Sequence, residues 1–120
     1  MGWPGLDQRA FPRYSAQCDI TIIEKSEIIK TKTQNIGVGG VCVILKKALE
    51  KLSQVSLHLV LNEELHPIEY DARVVWVIPS KELASSKVNY DTGLEFINLN
   101  AADRELIESF IQKLSHQRGR

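Results

Sequence analysis

The sequence predicts a mostly β fold, an antiparallel β-barrel of about six short strands that is followed by one C-terminal helix. Between residues 16 and 97, apolar and polar residues alternate with a period of two in short segments separated by turn-forming residues, a pattern typical of half-buried strands. From Asn100 onward the apolar period changes to 3.6, which indicates an amphipathic helix. Strands that are not interleaved with helices favour antiparallel pairing, and closure into a barrel removes exposed sheet edges.

The predicted strands are six segments of alternating or continuously apolar character. They cover residues 16–23, 28–33, 41–45, 55–61, 68–79 and 89–97. The first two form a hairpin around a polar turn, whereas the stretch 46–53 is long enough only for a helical turn or a loop. Trp76 occupies one of the apolar positions in the alternation of its strand, so its side chain is expected in the core. Gly93 is expected to mark a bend or a bulge in the last strand.

The C-terminal helix is predicted from a capping signal and an apolar stripe. Asn100 is a favourable N-cap residue, and Asp103 follows three positions later, close to a capping box. The stripe needs to be buried against the sheet or another chain, and it consists of Leu106, Ile107, Phe110, Ile111 and Leu114. Residues 115–120 are expected to fray as a polar tail. The prediction is therefore one domain, with residues 1–15 as a flexible N-terminal arm and residues 16–120 as the barrel with its helix.

The composition narrows the class of partners and argues against several activities. Fifteen basic and 15 acidic residues give a formal net charge of zero, which argues against bulk binding of nucleic acid or an anionic membrane but allows a small anionic ligand. Cys18 and Cys42 are expected to be buried reduced thiols, and no spacing to a histidine indicates a metal site. The sequence has neither a secretory signal nor a membrane-spanning apolar run, so we expect a cytoplasmic protein. No nucleophile, base and orienting group occur together, so we expect neither an enzyme nor a bound cofactor.

A glycine-rich turn between two predicted strands is the first candidate for a functional site. It contains Asn35, Gly37, Gly39 and Gly40, directly before an apolar strand. Three glycines in four positions indicate either backbone angles that other residues avoid or a close approach of another group. The Asn35 amide carries both a donor and an acceptor, which suits the edge of a flat ligand. Taken alone, the pattern favours an ordinary tight connection between strands over a binding site.

A pair of arginines in the arm is the second candidate. Arg9 and Arg13 are four residues apart, and Pro12 between them disfavours a helix. If the arm folds back over the barrel, both guanidinium groups can reach the glycine-rich turn. Guanidinium groups fit phosphate oxygens and the Hoogsteen edge of guanine, so such a site suits a small anionic nucleotide. For Trp3 the sequence leaves three alternatives open: its side chain docks on the barrel, docks on a partner, or is exposed to solvent.

At these residues the chain resembles the PilZ family of bacterial receptors for cyclic di-GMP. The family pattern is Arg-x-x-x-Arg, then a strand and a hairpin, then Asp/Asn-x-Ser-x-x-Gly before another strand. Arg9 and Arg13 match the first motif, and Asn35 and Gly40 match the ends of the second, about twenty residues later. The segment 90–96 and the final helix resemble the closing strand and helix of the family. The resemblance therefore covers nearly the whole chain.

The resemblance implies a six-stranded PilZ-like barrel whose N-terminal arm closes over the ligand. Arg9 and Arg13 would clasp phosphate and guanine, Asn35 would read a guanine edge, and Gly40 would allow the turn. Gly37 stands where the family usually has serine, so its backbone N–H would replace a hydroxyl contact. Binding would order the arm and change the surface that is offered to a downstream protein partner.

Other interpretations stay open at this point. Gln8 stands where some members have a further arginine and hold a ligand dimer, which leaves the stoichiometry open. The alternative function is a degenerate PilZ-like adaptor that binds a protein partner without nucleotide, which Gly37 and Trp3 favour. A barrel for single-stranded nucleic acid would need a basic groove with exposed aromatic residues, whereas the chain has two Trp, three Tyr and three Phe, mostly at buried positions. We expect no nucleic acid, no membrane insertion, and a monomer or a homodimer.

Overall fold

The computed structural model describes residues 13–61, 67–81 and 87–118, with side chains described for residues 14–61, 67–81 and 87–114. Within these ranges the chain forms seven β-strands and one α-helix. They are β1 (Arg13–Ser15), β2 (Asp19–Glu24), β3 (Glu27–Gly37), β4 (Gly40–Leu45), β5 (Gln54–Val60), β6 (Ile68–Lys81), β7 (Val88–Ile97) and α1 (Ala101–Arg118).

Six of these strands close into an antiparallel barrel. Adjacent strands pair in the order β3, β2, β5, β6, β7 and β4, and β4 pairs back with β3 to close the sheet. The predicted fold class, a six-stranded antiparallel barrel with a C-terminal helix, is confirmed. The short strand β1 is additional, and it falls within the predicted arm. It pairs with the second half of β3, on the same side on which β2 pairs with the first half.

Apolar side chains fill the interior of the barrel. Away from the irregular positions in β3 and β6, inward and outward residues alternate along the strands, as the sequence predicts. The fully buried apolar side chains on the strands are Ile20, Ile22, Ile36, Val41, Val43, Leu57, Leu59, Val74 and Leu94. These side chains pack the interior, as in other small barrels. Both cysteines are buried thiols, as predicted.

The prediction that Trp76 belongs to the core is wrong. The register between β6 and β7 shifts between Val74 and Trp76, so Val75 is an extra residue in β6. A shift of one residue exchanges the inward and outward faces of a strand, and Trp76 is therefore half-buried on the outer side. The irregularity predicted at Gly93 lies in the partner strand, because Gly93 is the residue that pairs with Trp76.

The N-terminus of α1 is capped as the sequence predicts. The side-chain Oδ1 of Asn100 accepts the backbone N–H of Asp103 at 2.8 Å. The carboxylate of Asp103 also accepts the hydroxyl of Tyr70 on β6, which joins the helix to the barrel. Burial raises the pKa of Tyr70 to about 12, with further contributions from the hydrogen bond to Asp103 and its charge.

The apolar stripe of α1 packs on the barrel. Ile107 and Ile111 are buried, whereas Leu106 is 37% exposed at the edge of the stripe. The helix contacts β1 and β3, the strands that carry the candidate site. It continues to Arg118, so the prediction of a frayed tail from residue 115 is wrong.

The remaining segments are connections. Residues 46–53 form bends and a turn without a helix, one of the two predicted outcomes. Residues 1–12, which include Trp3 and Arg9, lie outside the described residues, as do 62–66 and 82–86. No helix in the described part of the chain combines the length and the apolar character that crossing a membrane requires.

Candidate functional site on the barrel wall

The end of β3 that carries Asn35 and Gly37 is paired on both sides. On one side Arg13 of β1 lies opposite Gly37. On the other side Asn35 lies opposite Cys42 of β4. The strand register therefore brings the backbone of Arg13 next to the glycine-rich turn, where the sequence analysis expects the arm to act. Arg9 lies outside the described residues, and the side chain of Arg13 does as well.

Thr33 fixes the connection between β1 and β2 against β3. Its side chain is fully buried, and its hydroxyl donates to the carbonyl of Ala16 at 2.6 Å while it accepts the N–H of Cys18 at 2.9 Å. A hydroxyl can both donate and accept, so one side chain satisfies two backbone groups between the strands. Burial raises the pKa of the Cys18 thiol, an effect that the hydrogen bond to Thr33 partly offsets. Thr33 thereby positions β1 beside Asn35.

A bulge in β3 turns Asn35 toward the outer wall. The register with β4 shifts between Thr33 and Asn35, so Gln34 is an extra residue. Thr33 and Ile36 are both fully buried in the barrel, whereas Asn35 between them is on the outer side.

The side-chain oxygen of Asn35 is the most informative atom of the site. Within the described ranges, the Oδ1 of Asn35 is buried and has no hydrogen-bond partner. An unpaired buried acceptor costs about 1–3 kcal/mol, and such atoms in native proteins usually have a partner. Asn35 therefore offers an acceptor to a donor that the described part of the chain does not supply.

Close packing explains Gly40, the glycine that ends the turn. None of the described glycines has a positive φ, so the interpretation through unusual backbone angles is wrong. A Cβ atom on Gly40 would lie 2.1 Å from the backbone oxygen of Leu94 on β7. The backbone N–H of Phe96 donates to the carbonyl of Gly39 at 2.9 Å. The end of the turn thus lies directly against β7, and this is the close approach of another group that the glycines predict as an alternative to unusual backbone angles.

An outer row of residues crosses the barrel wall from Asn35 to Trp76. Asn35 pairs with Cys42, Cys42 with Gly93, and Gly93 with Trp76. The indole ring of Trp76 lies over Gly93, since a Cβ atom there would be 2.5 Å from the ring. With neighbouring strands about 4.8 Å apart, the ring lies about 10 Å from Asn35 along the wall.

Asp91 on β7 lies beside this row and bonds two of its members. Its Oδ1 accepts the indole N–H of Trp76 at 3.2 Å. The same oxygen accepts the thiol of Cys42 at 2.8 Å. Both Asp91 and Trp76 are half-buried, so these bonds are partly shielded from water.

The two sequence motifs supply one half of this candidate site. Asn35, Gly37 and Gly40 come together with the backbone of Arg13, whereas Thr33 and Asp91 belong to neither motif and Trp76 is predicted in the core. The sequence signal for the outward-facing residues is a break in the apolar–polar alternation along β3 and β6. Ile36 is out of phase with the inward residues before it, and Val74 and Val75 are two consecutive buried positions.

The filled interior and the polar outer row define a small β-barrel domain whose candidate site lies on its wall. A comparison with family models matches the PilZ domain over residues 7–113. The chain therefore belongs to the PilZ domain family. A search of curated proteins gave no match.

Solved structures with the same fold include three bacterial proteins. The inhibitor of motility MotI/DgrA of Bacillus subtilis is 25% identical with a TM-score of 0.71, over 94% of this chain and 54% of that one. The PilZ domain of YcgR from Escherichia coli, with c-di-GMP, is 12% identical with a TM-score of 0.70, over 95% and 99% of the two chains. The c-di-GMP complex of MrkH from K. pneumonia is 22% identical with a TM-score of 0.71, over 96% and 57%. The chain thus spans little more than half of MotI and of MrkH.

Proposed function

We propose that this protein is a non-catalytic receptor for cyclic di-GMP, which binds on the outer wall where β1, β3 and β4 meet. Membership of the PilZ domain family supports the proposal, as do the related structures that contain this nucleotide. The observation that carries it is the buried Oδ1 of Asn35, which lacks a partner in the described part of the chain. Guanine carries N–H donors that can bind such an acceptor.

Each residue of the proposed site has a separate contribution. Arg9 and Arg13 bind phosphate oxygens and the Hoogsteen edge of guanine through their planar, bidentate guanidinium groups. Asn35 accepts from a guanine N–H, and Gly37 contributes its backbone in place of the usual serine hydroxyl. Gly40 allows the turn to lie against β7, so that the ligand can reach the wall.

Trp76 extends the proposed site along the wall. The indole is half-buried and lies about 10 Å from Asn35. A flat aromatic surface packs well against a nucleobase. A nucleotide with two guanine bases is long enough to engage Asn35 with one part and the indole with another.

Isothermal titration with cyclic di-GMP tests the proposal. Wild-type protein is expected to bind, and Asn35→Ala or Arg13→Ala is expected to weaken binding by about tenfold or more, as for the loss of a base contact. Gln34→Ala and Lys51→Ala are matched controls, because both side chains are exposed and neither belongs to the proposed site. No heat with wild-type protein at micromolar nucleotide, or full affinity of Arg13→Ala, contradicts the proposal.

The proposed receptor changes its surface when the arm becomes ordered. The amide hydrogens of residues 1–15 are expected to exchange more slowly on binding, since the arginines of the arm then contact the ligand. The change is expected to be largest before β1, because β1 already pairs with β3. Hydrogen exchange measured with and without cyclic di-GMP tests this step. Identical exchange of residues 1–15 in both conditions contradicts it.

An adaptor that binds a protein partner without nucleotide is the second candidate. Gly37 favours it, because this residue lacks the hydroxyl that the family usually has there. Ile28 and Ile78 are large apolar side chains that are 62% and 54% exposed. A pull-down with the full chain distinguishes the two functions. Recovery of the same partner with and without cyclic di-GMP supports the adaptor, whereas recovery only with the nucleotide supports the receptor.

A further inference from the structure

We propose that Asp91 is a positioning residue that holds the indole of Trp76 against Gly93 and thereby sets the far edge of the nucleotide site. The part that concerns affinity rests on the proposed function. The part that concerns the orientation of Trp76 does not, because it can be measured without a ligand.

The geometry places Asp91 where it can bond across both neighbouring strands. In β7 it lies two residues before Gly93, and its Cα partners are Ile44 on β4 and Ile78 on β6. Cys42 and Trp76 are therefore its diagonal neighbours, at a distance that longer side chains can bridge. One carboxylate oxygen accepts from both, at 2.8 Å from the Cys42 sulfur and 3.2 Å from the Trp76 nitrogen.

The backbone alone does not fix the ring of Trp76. Trp76 directly follows the bulge at Val75, where the ladder between β6 and β7 is irregular. Gly93 leaves room for the ring, since any side chain there would collide with it, but a glycine offers no polar group that selects one ring orientation. The indole N–H is the polar group of this side chain, and Asp91 is the charged acceptor that receives it. A hydrogen bond to a charged acceptor is stronger than one between neutral groups.

The consequence is a pre-organised aromatic surface next to Asn35. Fixing a side chain before binding lowers the entropy cost of ordering it in the complex. Removal of the carboxylate is therefore expected to weaken cyclic di-GMP binding by about tenfold. Asp91→Asn retains a side-chain oxygen as acceptor, so it is expected to recover most of that loss.

The test combines a spectroscopic readout with a double-mutant cycle. The chain has two tryptophans, so Trp3→Phe leaves Trp76 as the sole source of tryptophan fluorescence. In that background, Asp91→Ala is expected to shift the emission of the free protein to longer wavelength and to lower its anisotropy, whereas Asp91→Asn changes both less. Asp71→Ala is the matched control, because Asp71 is an exposed carboxylate on β6 that bonds Ser56.

The cycle pairs Asp91→Ala with Trp76→Phe, which keeps an aromatic ring but removes the N–H. If Asp91 acts through that N–H, the losses of cyclic di-GMP affinity measured by titration are not additive. Additive losses, or full affinity of Asp91→Ala, overturn the proposal. Should Asp91→Ala fail to fold, Asp91→Leu, which fills the same half-buried volume, takes its place.

The two proposals fail in different ways. If wild-type protein does not bind cyclic di-GMP, the receptor function is wrong, and the fluorescence of the free protein still decides the role of Asp91. Unchanged Trp76 emission and anisotropy in Asp91→Ala overturn the positioning role even when wild-type protein binds the nucleotide.

Discussion

Replacing Gly40 with alanine tests whether close packing explains the glycine at the end of the glycine-rich turn. The added Cβ would lie 2.1 Å from the backbone oxygen of Leu94, whereas ordinary contacts begin at 3.4 Å. The two strands have to separate by about 1.3 Å, because the obstructing atom is backbone and cannot rotate away. The separation falls at the first pair of the β4–β7 ladder, Gly40 with Glu95.

The expected cost follows from this displacement. Overpacking of a close-packed site costs about 1–3 kcal/mol, and each of about two weakened ladder hydrogen bonds adds about 1 kcal/mol. Gly40→Ala is therefore expected to lose about 3–5 kcal/mol of unfolding free energy. For a chain of this size that corresponds to a fall in Tm of about 12–20 °C.

Thermal unfolding followed by circular dichroism measures the effect. Gly93→Ala is the matched comparison, because its Cβ would meet the side chain of Trp76 and not backbone. It is expected to cost less stability but to change the fluorescence of Trp76. A fall in Tm below about 4 °C for Gly40→Ala refutes the packing argument. Normal stability together with lost cyclic di-GMP binding would identify Gly40 as a ligand contact instead.

Three further changes test the frame around the site. Thr33→Val keeps the shape of the side chain but leaves two buried backbone groups unpaired, so urea unfolding is expected to show a loss of about 2–4 kcal/mol; an unchanged midpoint contradicts the role of the hydroxyl. Gly37→Ser is expected to strengthen cyclic di-GMP binding several-fold in titrations by restoring the hydroxyl of the family pattern, and weaker binding contradicts this. Tyr70→Phe removes the hydroxyl that bonds Asp103. Because the folded protein raises the pKa of Tyr70 from 10 to about 12, the stability that this hydroxyl contributes is complete below pH 10 and lost as the pH rises toward 12. The difference in unfolding free energy between wild type and Tyr70→Phe is therefore expected to shrink across that interval, and a constant difference refutes the assignment.

The amino-acid sequence by itself determined the strands, the helix and half of the candidate site. Alternation of apolar residues depends on local periodicity alone, so the six barrel strands could be predicted from it. The cap at Asn100 likewise needs only its own helix. The two motifs could be recognised from residue types and spacing, although their ligand contacts remain predictions.

The tertiary structure decided which side chains reach the outer wall. A bulge inserts one extra residue into one strand. The position of the bulge depends on how the strand pairs with its partner, so the alternation within one strand could not locate it. The bulge at Gln34 turns Asn35 outward, and the bulge at Val75 does the same for Trp76. The approach of Gly40 to Leu94 likewise exists only once β4 and β7 are paired. Contacts between strands far apart in the chain are fixed by barrel closure, and for that reason a local pattern could not reveal them.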